Sequence, residues 1–481
     1  MADLILAIDA GTTGVTTLVI DRDQQVVGRG HRDFAQHFPQ PGWVEHEPDE
    51  IFEALLMAVA QAVGDRVSDI DGVGLTNQRE TLVIWDRKTL RSARPAIVWQ
   101  DRRTSEICDR LKDADVSRTG LRLDPYFTAT KIMWIKENEP KIWAGIEDGR
   151  FAVGTVDSYL VARLTNGRRH ITDATNASRT LLYDLLSGDW DEELLGLFGV
   201  PRHALAEITS SYGDLAQCDP EVFLGINAPI TAIAGDQQAA LVGQAGTGLG
   251  SAACAYGTGS FVLVNTGDEI PPTEGGLLAT VALAHPDGRR SFASEGAVFV
   301  TGSAVQWFRD GLGAVASSAE IEALAASVSD SAGVVVVPAL TGLGAPHWDP
   351  NARGAILGIT RGTTTAHIAR ALLESIAWQV ADVVEMMESG SNLRLPFLGA
   401  HGGASANTLL CQLQAAALGR PVHRRLDPES TALGAGELAR LGLGWPVRSD
   451  KSVDEEIGTG ATIVDHDRWQ KAIAAVRLFG E

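Results

Sequence analysis

Cysteine is scarce in this sequence. The four residues Cys108, Cys218, Cys254 and Cys411 lie far apart, and no two share a C-x-x-C spacing. That argues against a thiolate metal centre and against a disulfide framework, and reads as ordinary thiols in a reducing compartment. Positive charge is also short: 40 Lys and Arg face 61 Asp and Glu, a formal net charge of −21. Such a surface repels nucleic acid and anionic membranes. An anionic ligand must therefore be held locally, by backbone amides, helix N-termini and metal. No Gly-Lys dipeptide occurs anywhere, which excludes a Walker A loop. No apolar run approaches a membrane span, and Met1-Ala2-Asp3-Leu4 opens without a basic segment, so no signal peptide is expected. The expected location is the cytoplasm.

What the chain does have is length and a globular composition. With 481 residues, 45% hydrophobic and 21% charged, it exceeds one ordinary core and predicts two domains. Leu4 to Ile8 is an apolar, strand-forming run that breaks at Asp9-Ala10-Gly11-Thr12-Thr13-Gly14 and resumes at Val15 to Ile20. Helical periodicity follows over 50–63, then a strand over 70–75, which together predict a mixed sheet flanked by helices. A similar opening recurs at Ala253 to Gly267, where Gly257-Thr258-Gly259-Ser260 interrupts an apolar run. Two similarly built domains are expected, joined near the glycine-dense stretch Gly243 to Gly250, with a cleft between them suited to hinge closure. Further helices are predicted over 367–387 and 406–418, the latter ending at Gly419.

Several segments could carry chemistry. Asp9 with Gly11 to Gly14 offers backbone amides and hydroxyls to a phosphate and an acid to a hydrated Mg²⁺; the same residues also make an ordinary hairpin turn. Arg79-Glu80, after a strand, could donate to and accept from a hydroxyl-rich ligand, or simply face water. Trp99 and Tyr126 bring aromatics among polar residues, as packing or as a ligand wall. Asp236 ends the apolar run 229–234 and precedes a helix, a position that faces the ligand crevice of an α/β sheet. There it could act as a base toward an attacking hydroxyl, or as a helix N-cap. Gly402-Gly403 before Asn407 allows a flat group against the backbone, or a tight turn.

Together these segments resemble the glycerol kinases of the FGGY carbohydrate kinase family, nearly from end to end. The telling pieces are Pro41 to His46, Thr76 to Glu80, Val98-Trp99-Gln100, Asp124 to Phe127, Gly235 to Ala240, Tyr256 to Gly259, Gly342 to Pro346 and Thr431 to Ala435. The runs Tyr126 to Asn138, with Lys131 and Trp134, and Gly354 to Glu374 are similar to the two family signatures. The resemblance implies an α/β, actin-like ATPase fold: two ribonuclease-H-like domains around a central cleft. Residues 1–245 would bring the polyol and the base, and 246–481 the nucleotide. It implies ATP-dependent phosphorylation of glycerol to sn-glycerol 3-phosphate, by a homodimer using Mg²⁺. Arg79, Glu80, Tyr126, Asp236 and Gln237 would hold the hydroxyls, with Trp99 and Phe261 on the carbon chain. Asp236 would be the general base, and Asp9 with Asp236 would place Mg²⁺. Thr12, Thr13, Gly14, Thr258, Gly302, Gln306, Gly403 and Asn407 would contact the nucleotide. Alternatives are a kinase of another small polyol or triose, and a catalytically weak glycerol-binding regulator.

The chain departs from the family in places. The usual Asp-Gln-Gly-Thr-Thr-Ser-Ser-Arg loop reads here with Ala10, Gly14-Val15 and Thr16, so an arginine expected on the transferring phosphates is missing. His401 stands where an acid often precedes the Gly-Gly pair. The Gly-Gly-Thr-Arg loop by which some bacterial members bind fructose 1,6-bisphosphate has no counterpart near Gly225-Ile226-Asn227, so no such inhibition is expected.

Overall fold

The computed structural model describes residues 3–446 and 455–480. The first apolar runs form the predicted hairpin: Leu4–Ala10 (β1) pairs antiparallel with Gly14–Ile20 (β2), and Val26–Asp33 (β3) adds antiparallel to β2. Ile70–Asn77 (β4) pairs parallel with β1, Tyr212–Gln217 (β5) lies at the edge, and Pro229–Gly235 (β6) pairs parallel with β4. The order across this sheet is β5-β6-β4-β1-β2-β3.

The second sheet repeats the plan. Ala252–Tyr256 (β7) pairs antiparallel with Ser260–Gly267 (β8); Leu278–Ala284 (β9) and Arg290–Val298 (β10) extend that side. On the other side Leu398–His401 (β11) and Val422–Arg424 (β12) run parallel, closed by antiparallel Glu455–Ile457 (β13). Antiparallel strands followed by two parallel strands thus occur in both sheets, a meander in the first, whereas in the second β10 rather than β9 lies beside β8. The two-domain, mixed α/β, ribonuclease-H-like plan expected from the sequence is the one the chain adopts.

The helices explain how the sheets are held. Pro48–Val63 (α1) opens on proline with Asp49 and Glu50 in its first turn, and buries Ile51, Leu55, Ala58 and Val59 against the first sheet. Asp236–Ala245 (α2) follows β6, Gly302–Asp310 (α3) follows β10, and Thr365–Ser391 (α4) is the long helix of the second domain. Thr408–Leu418 (α5) ends at Gly419 in the left-handed region, as predicted, and Ser430–Gly442 (α6) follows β12. α2 and α6 exchange partners. Leu241 and Ala245 of α2 pack with Ala253 and Leu263 of the second sheet. Ala432 and Ala435 of α6 return to Ala7, Leu18 and Ile20 of the first. They cross so closely that a Cβ on Gly434 would lie 1.8 Å from the Ala239 carbonyl oxygen, so only glycine fits there. Segment 82–200, inserted between β4 and β5, forms its own core with Ala279, Val281 and Phe292 of the second sheet. No helix among the described residues is long and apolar enough to cross a membrane.

Candidate active site

Three parallel strands of the first sheet end at one level. In their registers Asp9 lies beside Thr76, and Asn77 beside both Ala10 and Gly235. The loops leaving these strands therefore gather at one edge, where open α/β sheets place ligands. The amide of Gln78 donates to the Ala10 carbonyl at 2.9 Å, and its side-chain Nε2 to the Gly11 carbonyl at 2.9 Å, tying two of these loops together.

Gly235, not Asp236, holds the N-cap position, and α2 begins at Asp236 rather than at the more apolar Ala239. The Asp236 carboxylate accepts from the Gln237 amide at 2.7 Å and lies 3.3 Å from Arg79 Nε. Arg79 reaches it by running across Gly235, where a Cβ would sit 2.6 Å from Arg79 Cδ. Burial pushes the Asp236 carboxyl up to about 6; Arg79 opposes this and Glu80 adds to it. A partly exposed carboxylate of that basicity is matched to accepting a proton near neutral pH.

Glu80 has a φ of 61°, the left-handed region that a non-glycine residue enters at a cost. Its carbonyl is clamped by Thr128 Oγ1 at 3.0 Å and Lys131 Nζ at 3.1 Å, and the same Nζ donates to the Tyr126 carbonyl at 2.6 Å. Lys131 thereby fixes two walls of one pocket. Burial pulls its amine down to about 7. The folded chain then holds this proton less tightly than the unfolded chain. Its contribution makes stability rise with pH from about 7 toward the ordinary lysine range of about 10.4. Lys131→Met is expected to flatten that rise in thermal melts. It should also orphan the Tyr126 carbonyl, at a cost of about 1–3 kcal/mol, while Thr128 Oγ1 still holds that of Glu80, and raise the KM for the acceptor more than it lowers kcat.

Two residues that sequence reasoning missed complete the electrostatics. Glu295 of β10 accepts from Arg79 Nη1 at 2.7 Å and from Arg179 Nη2 at 2.8 Å, while Arg179 Nε donates to Glu80 at 2.6 Å. All four side chains are 3% exposed or less. Burial alone would raise the Glu295 carboxyl, but Arg179 and Arg79 hold it below its ordinary value. The network joins the two sheets, since Glu295 comes from the second. The available signal was a lone acid in the apolar strand Ser291 to Val298.

The seven residues expected to bind polyol, Arg79, Glu80, Trp99, Tyr126, Asp236, Gln237 and Phe261, together line one small cavity of about 40 Å³. Trp99 and Tyr126 meet edge to face at 5.5 Å, and Trp99 Nε1 donates to Thr12 Oγ1 at 3.0 Å. A second, larger hollow of about 420 Å³ lies in the second domain, lined by Thr258, Gly302, Gln306, Gly403 and Asn407 together with Tyr256, Leu373, Ile376 and Leu410. Gly302 starts α3 close against Gly257, whose carbonyl accepts from the Gly302 amide at 3.0 Å. Asn407 caps α5, its Oδ1 taken by the Leu410 amide at 2.9 Å, which leaves its amide nitrogen as a donor. Thr12, Thr13 and Gly14 do not line this hollow; they sit on the β1–β2 hairpin of the first sheet.

Asp9 closes β1 with Oδ1 buried and without a hydrogen-bond partner. Burial, then the charges of Asp236 and Glu429, push its carboxyl well above the usual range. An orphaned acid facing another acid is a donor set that a hard divalent cation satisfies, so Mg²⁺ fits these residues.

Residues 4–243 match the N-terminal domain, and 252–441 the C-terminal domain, of the FGGY family of carbohydrate kinases. The chain is 47% identical to a glycerol kinase of Deinococcus radiodurans, over 98% of this chain and 97% of that one. It is 51% identical to a glycerol kinase of Alkalilimnicola ehrlichii, over 92% and 90%. A crystal structure of Plasmodium falciparum glycerol kinase with ADP superimposes with a TM-score of 0.92 at 32% identity, covering 99% of this chain and 98% of that one.

Proposed function

We propose, for a chain that belongs to the FGGY family of carbohydrate kinases, that it transfers the γ-phosphoryl group of ATP to a terminal hydroxyl of glycerol, yielding sn-glycerol 3-phosphate. The observation that carries this reading is the small cavity with Asp236 in its wall. Its donors are Arg79, Gln237 and the Tyr126 hydroxyl; its acceptors are Glu80 and Asp236. Trp99 and Phe261 supply apolar faces for a carbon chain. A cavity of only about 40 Å³, walled by Trp99, Tyr126 and Phe261, suits a three-carbon acceptor better than a pentose. The glycerol kinase relatives support the same substrate.

Phosphoryl transfer asks little covalent chemistry of the protein; alignment and charge neutralisation supply most of the rate. Arg79 and Glu80, locked by Arg179 and Glu295, fix the acceptor. Asp236 takes the proton of the terminal hydroxyl as its oxygen attacks phosphorus in line, and ADP leaves. Mg²⁺ held by Asp9 and Asp236 would neutralise charge on the phosphates. The larger hollow holds the adenosine end through Thr258, Gly302, Gln306, Gly403 and Asn407, while Thr12, Thr13 and Gly14 approach the phosphates from the opposite sheet. Residues 1–245 thus present the polyol and base, and 246–481 the nucleotide, with Phe261 reaching across. The same reading has the enzyme in the cytoplasm, where its four cysteines, none in a disulfide, stay reduced, and as a homodimer.

The test is product identity. Purified protein with Mg-ATP and glycerol is expected to release ADP and form a product that a stereospecific sn-glycerol 3-phosphate dehydrogenase consumes completely. Glycerol-independent ADP release, or a product that dehydrogenase ignores, rejects the proposal.

A further inference from the structure

Thr175 lines neither of the two cavities and is fully buried, yet its hydroxyl reaches the residue before Asp236. It belongs to the short helix Ala174–Ala177, which Asp173 caps by accepting from the Thr175 and Asn176 amides at 3.0 Å each. The same carboxylate accepts from Thr175 Oγ1 at 2.9 Å, Asn176 Nδ2 at 3.0 Å and Ser211 Oγ at 2.7 Å. Burial raises the Asp173 carboxyl, and these donors oppose that. An ionised carboxylate only accepts, so the single proton of the Thr175 hydroxyl goes to Asp173 and a lone pair is turned outward. That lone pair takes the Gly235 amide at 2.9 Å.

Gly235 needs this partner because the sheet supplies none on that side. Ile233 of β6 donates to the Ser211 carbonyl at 3.0 Å, but the chain before Ser211 turns away to pair, at Glu207–Thr209, with Ile171–Asp173. Gly235, two residues on, therefore meets Thr175 where a strand would have been. Gly235 caps α2, Asp236 follows it directly, and Arg79 crosses it. Beside it in register, Asn77 pairs its side-chain amide reciprocally with that of Asn176 at 3.0 and 3.2 Å. Adjacent residues of one short helix thus hold the two strand ends from which Asp236 and Arg79-Glu80 emerge. We propose that Thr175 is a positioning residue for phosphoryl transfer: its hydroxyl, aimed by Asp173, holds the Gly235 amide and so sets where the Asp236 carboxylate meets the acceptor. The inference rests on the reading of Asp236 as the base and adds the contact that places it. Alignment is what this chemistry asks of the protein, and a misplacement of about 1 Å is worth about 10²-fold in rate.

Thr175→Val keeps the shape and removes the acceptor. It is expected to lower kcat on glycerol by about 10- to 100-fold, with the KM for ATP and the Kd for ADP nearly unchanged. Thr175→Ser, which restores the hydroxyl, should recover most of the loss. A general loosening would instead weaken nucleotide binding too, and would follow thermal stability rather than the hydroxyl. In the Asp236→Asn background Thr175→Val should cause little further loss, because a residue acting through the base has nothing left to place. Thr175→Cys, similar in volume but a weak acceptor, runs through the same assays should Thr175→Val not fold. Unchanged kcat in Thr175→Val, no recovery in Thr175→Ser, or a fully additive loss in the Asp236→Asn background overturns the proposal. Near-normal kcat in Asp236→Asn alone would instead sink the base assignment, so the two failures are distinguishable.

Discussion

Asp236→Asn is expected to lower kcat on glycerol by ~10³–10⁴-fold while leaving the Kd for ADP within a few-fold of its starting value. The reason lies in how the carboxylate is held. Gly235 takes the helix cap, so Asp236 is free of the amide cluster that would otherwise lower its basicity. Only the Gln237 amide donates to it from the backbone, and burial raises its carboxyl to about 6. An asparagine of the same shape keeps the packing against Arg79 and Gly235 but cannot accept the proton. The hollow proposed for the nucleotide is built from other residues, so ADP binding should survive. Burst-free, slow turnover with intact ADP titration by calorimetry is the expected signature; near-normal kcat would remove Asp236 from its role.

Glu295→Leu should have the largest effect on stability. It leaves two guanidiniums buried without their shared partner, which costs about 3–5 kcal/mol when one member of a buried pair is removed. Arg79, released from Glu295, can then turn fully onto Asp236, whose Oδ1 already lies 3.3 Å from its Nε. That pairing would hold the base as a carboxylate too stable to accept a proton, so kcat should fall as well. The urea midpoint and kcat are therefore expected to drop together. Replacing Arg179 by methionine in the same chain should recover part of the stability, because an apolar pair avoids an unpaired buried charge, but it should not recover activity. Full stability in Glu295→Leu would show that the network is not the tie between the sheets.

How much of this was legible beforehand varies by residue. The β1–β2 hairpin, β6 ending before Asp236, and α5 ending at Gly419 arise from local patterns of apolar runs and glycine, and the structure has them. The repeated sheet plan was visible only as a repeated hairpin, because the parallel strands that complete each sheet come from distant segments. The exchange of α2 and α6 was hidden for the same reason: sequence order assigns α6 to the second half, while its alanines pack on the first sheet. The polyol set came through family resemblance, since Arg79-Glu80 alone reads equally well as a solvated strand end. Arg179, Glu295 and the role of Lys131 escaped because a charged residue is presumed solvated unless a partner is known, and apart from Tyr126 beside Lys131 these partners lie 51 to 216 positions away. Thr12, Thr13 and Gly14 were grouped with the nucleotide contacts, yet they sit on the sheet opposite the large hollow, where only the phosphate end of a nucleotide would meet them.

The central claim is that one small cavity selects a three-carbon polyol and presents its end to Asp236. It is tested most directly by comparing kcat/KM for glycerol, dihydroxyacetone, erythritol and xylulose under identical Mg-ATP, following ADP release. Glycerol is expected to lead the series by an order of magnitude or more, with xylulose last. Turnover of erythritol or xylulose above that of glycerol would contradict the account.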